Sequence, residues 1–158
     1  MLFRVLRDAG LRPGGFCVKR VYRRAMLDGM DMIDLATGRR ARMLSVACVN
    51  GDGLVFAVNP GAFLEIGVPS IVAALDMADV VVMDELGRFE CEVPEFTSCV
   101  FAALDAAKPV VGVLKDETNP FLDMVRARHD VRVVNLRPES REEASREFRR
   151  LLCSLLEH

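Results

Sequence analysis

The sequence predicts an α/β fold, and three runs carry that prediction: DVVVMD at 79–84, PVVGVL at 109–114 and VRVVNL at 131–136. Each is short, apolar, rich in β-branched residues and without alternation, the pattern of strands covered on both faces. Helical periodicity fills the intervals near 93–106, 119–128 and 139–155, so the second half reads β-α-β-α-β-α. That order calls for a three-layer, mainly parallel sheet with right-handed crossovers. A chain of 158 residues, 51% hydrophobic, is long enough for one core and too short for two. Residues 1–155 are therefore read as a single domain.

The first half follows a different rhythm. Leu2, Val5, Leu6 and Ala9 form one helical stripe, stopped by Gly10 and by Pro13-Gly14-Gly15. FCVKRVY, MDMIDLAT and RMLSVACV then read as an antiparallel meander of three strands, with turn signals at Asp28-Gly29 and Thr37-Gly38. After the Asn50-Gly51-Asp52-Gly53 loop comes a short strand, LVFAV, and Asn59-Pro60-Gly61 starts a helix reaching Met77 that Pro69 interrupts. The closing Leu156-Glu157-His158 resembles the start of a purification-tag scar.

Charge is balanced overall, at −2, but unevenly spread: 10 basic and 4 acidic side chains in residues 1–50, 1 and 9 in 51–100, and 10 and 10 thereafter. Five cysteines without a C-x-x-C pair indicate neither a disulfide framework nor a zinc cluster, and fit reduced, mostly buried thiols. The amino end carries no signal-peptide pattern, and charges interrupt the apolar runs before the ~18 residues of a membrane span. A soluble, cytoplasmic protein with no membrane partner is expected.

The sharpest chemical feature is ADVVVMDELGRFE at 78–90, where an apolar strand delivers Asp84 and Glu85 side by side, followed by Gly87. Ligand sites of open α/β sheets lie beyond the carboxyl ends of strands. Two adjacent acids there suit two tasks, one toward a metal and one toward an attacking water, because neighbours on a strand face opposite sides. An ordinary solvated turn is the plain alternative.

DELGRFE, Gly14-Gly15-Phe16 ahead of a meander, VNPGAFLEIGVPSIVAAL and KPVVGVLKDETNPFLDMVR together resemble, in order and spacing, the small nucleoside-triphosphatase family that includes the cancer-related NTPase. The resemblance runs from about Leu2 to Arg141 and implies a RecA-like sheet of the P-loop superfamily that hydrolyses NTP with Mg²⁺. By it, Asp84 matches the Mg²⁺-associated acid, Glu85 the catalytic base, and Lys115 a polar residue presented toward the γ-phosphate. Glu90 also matches the family string, although a charge at a helix amino end, favoured by the dipole, is its simpler reading.

The family's phosphate-binding loop, G-x-x-x-x-G-K-[ST], does not occur in this sequence; GLRPGGFC lacks the lysine and the hydroxyl residue. That loop supplies the N–H groups and lysine that cradle the phosphates. The first strand and loop are thus expected to be missing, with no cofactor-binding segment left. About twenty upstream residues would restore them. A truncated, inactive nucleoside-triphosphatase and a catalytically dead interaction module are the two readings. In the RecA-like order 5-1-4-3-2 the missing strand lies between 109–114 and 131–136, so those two pair directly or leave a slot that a second copy fills, giving a homodimer.

Arg20, Arg23, Arg24, Arg39, Arg40 and Arg42 are read as a solvated rim, countered by the five acids from Asp79 to Glu92. A nucleic-acid partner is not expected, since the chain has no Trp and one Tyr. His129 is assigned to the surface, and Met26, Met30, Met32, Met77 and Met83 to core filling.

Overall fold

The computed structural model describes residues 2–50, 53–135, 146–148 and 150–151. A unit of Met1–Leu122 holds the sheet, and Asp123–His158 form a second unit. The first begins with α1 (Leu2–Asp8) and runs through β1 (Pro13–Arg23), β2 (Met26–Asp34), β3 (Arg40–Asn50) and β4 (Gly53–Val58). α2 (Pro60–Ala62) continues through a π turn (Phe63–Gly67) into α3 (Val68–Met77). Then come β5 (Val80–Leu86), a 3₁₀ turn (Phe89–Glu92), α4 (Pro94–Asp105), β6 (Val110–Leu114) and α5 (Pro120–Arg126), which crosses into the second unit.

One six-stranded sheet has the order β4-β3-β2-β1-β5-β6. The pairs β1–β5 and β5–β6 are parallel, and β1–β2, β2–β3 and β3–β4 antiparallel. The sheet is mixed instead of mainly parallel, because the meander joins it directly through β1 and extends to a fourth strand. The expected strand at 131–136 is also corrected: residues 131–135 are not a strand, and 136 lies outside the described residues. A β-branched run becomes a strand only where a neighbour satisfies its N–H and C=O groups, and none pairs with it among the described residues. The helix expected over 139–155 falls largely outside them; 146–148 and 150–151 are helical.

The β1–β2 turn is displaced from its expected place. It falls at Arg24-Ala25, with φ of 50° and 64°, instead of Asp28-Gly29. A two-residue hairpin turn with both φ positive normally uses Asn or Gly, so Arg-Ala left no signal. Gly29 is inside β2, where a Cβ would stand 2.1 Å from the Leu44 carbonyl oxygen. At Gly15, with φ +102°, a Cβ would stand 2.2 Å from the Val82 carbonyl oxygen, so β1 can lie against β5 only with glycine there.

Asn59 caps α2 as its sequence predicts, its Oδ1 accepting the Gly61 N–H at 3.1 Å. Pro69 does not break the helix; the π turn precedes it, where a ring without an N–H displaces the regular i to i−4 ladder. Pro60–Met77 is 18 residues long and apolar enough to cross a membrane by length and composition. Its Phe63, Ile66, Ile71 and Ala74 are nevertheless buried, as in a core helix. Phe63 and Phe16 of β1 meet Phe96 of α4 edge to face, at 5.2 and 5.5 Å between ring centroids. Among the methionines, Met30, Met32 and Met83 fill the core, whereas Met26 and Met77 are 72% and 67% exposed.

Candidate functional site at the carboxyl end of β5

β5 is central, between β1 and β6, and Val80 to Met83 are buried. Burial relaxes at Asp84 and Glu85, both half-buried, and returns at Leu86. The covered apolar run drives the strand into the sheet and brings two carboxylates to its carboxyl end. Burial, and then the neighbouring Glu85, push the Asp84 carboxyl above its ordinary value.

Lys115 follows β6 directly. Its backbone N–H donates to Leu86 O at 2.9 Å, and its Nζ lies 3.1 Å from Glu85 Oε1. Parallel pairing of β5 with β6 therefore brings together the three residues singled out in the sequence, with Lys115 bridged to Glu85. Gly87 gives the lysine room: a Cβ there would stand 3.0 Å from Lys115 Cδ and 3.2 Å from Glu117 Oε1, and these side chains would have to give slightly.

Glu90 stands in the first turn of the 3₁₀ helix Phe89–Glu92, and its side chain is turned inward. It is 2% exposed, and its Oε2 accepts the Gly87 N–H at 2.9 Å. A carboxylate three residues on closes the DELG turn against itself, and burial raises its pKa. The 3₁₀ turn directs Glu90 inward, a change of direction that helical periodicity does not signal.

Two residues around the turn went unassigned in the sequence. Glu117 approaches Gly87, and Asn119 caps α5, its Oδ1 accepting the Leu122 N–H at 2.9 Å while its Nδ2 is buried without a hydrogen-bond partner. The signal for Asn119 was present, since Asn119-Pro120 repeats the Asn59-Pro60 helix start. Phe89 lies under the Arg88 guanidinium, 4.9 Å from the ring centroid, and packs edge to face on Phe56 of β4 at 5.9 Å. Cys91 is exposed, unlike buried Cys17.

The arginine rim finds other counter-charges than expected. Arg42 binds Asp31 through Nε and lies 3.1 Å from Asp28, which Arg23 approaches at 3.6 Å. From the acidic stretch, Asp79 pairs with Arg12 at 2.7 Å and Glu85 with Lys115. In the second unit Arg128 pairs with Asp130 at 2.6 Å, beside an exposed His129.

A mixed sheet with parallel β1, β5 and β6 joined by helices, and acids at the end of a central strand, defines the class: an α/β fold like that of P-loop nucleoside-triphosphatases. Residues 1–148 match the model of the NTPase family, and the chain belongs to that family of small nucleoside-triphosphatases. Among curated relatives, nucleoside-triphosphatase THEP1 of Thermofilum pendens is 28% identical over 155 residues, covering 96% of this chain and 85% of the relative. THEP1 of Methanothermobacter thermautotrophicus is 28% identical over 137 residues, covering 87% and 77%. Two solved structures share the fold. The crystal structure of THEP1 from Aquifex aeolicus has a TM-score of 0.76 at 22% identity, covering 93% of this chain and 87% of that one. The solution structure of a human cancer-related nucleoside triphosphatase has a TM-score of 0.75 at 23% identity, covering 96% and 87%.

Proposed function

We propose that the carboxyl end of β5 is the acidic half of a nucleoside-triphosphate hydrolysis site. The observation that carries this reading is the placement of Asp84 and Glu85 at the end of a central parallel strand, with Lys115 held across from them. The NTPase family match supports it. The hydrolysis forms a bond from a water oxygen to the γ-phosphorus and breaks the bond to the bridging oxygen, releasing NDP and phosphate. Glu85 accepts the proton that the water gives up. Lys115, 3.1 Å from Glu85, is shared between that carboxylate and the γ-phosphate, so drawing the lysine to phosphate frees Glu85 to act as base.

Asp84 is the residue that fits Mg²⁺. Such ions are held by one or two carboxylates together with substrate phosphates, and Asp84 suits that shared role. The described residues offer no group of three or more His, Cys, Asp or Glu for an all-protein cage. Held there by Asp84, the ion would supply neutralisation of phosphate charge.

The sequence has no G-x-x-x-x-G-K-[ST] string, the loop that cradles phosphates in P-loop enzymes. The test is phosphate release by a variant in which a strand and such a loop are placed ahead of α1. Glu85→Gln in that protein is expected to slow release about 10²–10⁴-fold, the usual worth of general-base catalysis. Unchanged release would remove Glu85 from the role of base.

A further inference from the structure

The β1–β2 hairpin runs on beyond β5. β1 pairs with β5 only from Pro13 to Cys17, and β2 pairs with β3 only from Gly29 to Ile33. From Val18 on, β1 has no described strand beyond it on its β5 side, and over Tyr22–Leu27 the β1–β2 hairpin is a two-stranded ribbon. Cys17 stands opposite Asp84 in the register, so β1 runs past β5 at the end where the acids lie. Residues 18–23 carry it roughly 20 Å further, at ~3.3 Å per residue.

The ribbon is cationic. Beyond Cys17, β1 and its turn carry Lys19, Arg20, Arg23 and Arg24; Lys19 stands opposite Asp31 in the register, and Asp28 lies near Arg23 and Arg42. Lys19, Arg20 and Arg24 make no ion pair among the described residues. The chain's one tyrosine, Tyr22, lies here 58% exposed, and Met26 is 72% exposed. Arg20 and Tyr22 share a face: the register passes from Val21↔Gly29 to Tyr22↔Leu27, so the bulge is on β2 and alternation along β1 is kept.

We propose that this ribbon binds single-stranded nucleic acid, with Arg20 and Arg24 following the phosphates and the Tyr22 ring stacking on a base. Cations alone would serve any acidic partner. The uncovered aromatic ring beside Arg20 favours a ligand that offers both phosphate and π-faces. Composition argued against nucleic acid because aromatic residues are few; placing the single tyrosine exposed among cations near the hairpin tip changes its weight. The inference is independent of nucleotide hydrolysis.

The experiment is fluorescence anisotropy of labelled oligouridylate and oligothymidylate over a KCl series, with polyglutamate as competitor and far-UV circular dichroism as the folding control. The expected dissociation constant is about 10⁻⁶–10⁻⁴ M near physiological salt, weakening as salt rises. Arg20→Glu with Arg24→Glu is expected to weaken binding at least about tenfold and to flatten the log–log salt slope by about 0.7 per lost phosphate contact. Tyr22→Ala is expected to weaken it about tenfold with the slope kept, and Tyr22→Phe to retain binding. Absence of salt-dependent binding, or binding unaltered in both the charge-reversed and Tyr22→Ala proteins, overturns the proposal. Polyglutamate competing as well as unlabelled oligonucleotide overturns it too, assigning the ribbon to an acidic protein.

Discussion

β5 and β6 are written in the same apolar, β-branched language and occupy different surroundings. Val80 to Met83 of β5 are at most 2% exposed, whereas every residue of β6 is at least partly exposed, including Gly112. β5 has a strand on each side; β6 is last in the sheet order. The difference teaches that residue type selects a strand, while neighbours determine how much of it is buried.

Val82 and Val111 sharpen the comparison, because they are partners in the register. Val82→Ala is expected to cost about 2–3 kcal/mol, for lost transfer energy plus a residual cavity, and Val111→Ala less than about 1 kcal/mol. Urea unfolding of the two variants measures both. Equal costs would mean that β6 is as covered as β5.

The turn after β5 comes next. Glu90→Ala leaves the buried Gly87 N–H without its acceptor and is expected to cost about 1–2 kcal/mol. Glu90→Gln keeps an acceptor and removes the ionisable group. Because the native carboxyl titrates above its ordinary value, stability tied to Glu90 is full below the unfolded pKa and falls as pH rises through the raised native one. Melting temperature against pH is expected to lose that fall in Glu90→Gln.

The smallest effect lies at the opposite end of β5. Arg12 hydrogen bonds hold Asp79 down at about 2 against an ordinary 3.8. A depressed carboxylate contributes stability above its unfolded value and loses it as pH falls from about 4 toward 2. Arg12→Ala is expected to make the acid limb of the melting curve shallower over that window, with little change at neutral pH.

Much of this was legible in the sequence for reasons that are local. Asn59-Pro60 announced its helix, and VVVMDE announced both a covered strand and the acids at its end. The Arg24-Ala25 turn was not legible, since its positive φ angles are imposed by the hairpin on residues that do not favour them. The burial of Glu90 was not legible, because a charge at a helix amino end carries no signal of which way one 3₁₀ turn directs it. VRVVN at 131–135 has strand composition without strand structure, because composition does not supply a pairing neighbour. Asp84, Glu85 and Lys115 were nominated separately, but their juxtaposition depends on the parallel register of β5 and β6.

The most direct test of the β5 end as half of a nucleotide site is titration calorimetry with Mg·ATP and Mg·GTP. It compares this chain with the same chain carrying a strand and a G-x-x-x-x-G-K-[ST] loop ahead of α1. The expected result is binding heat from the extended protein and none from the chain alone. Equal affinity in both would contradict the assignment of phosphate binding to a G-x-x-x-x-G-K-[ST] loop, and binding by neither would contradict the nucleotide site itself.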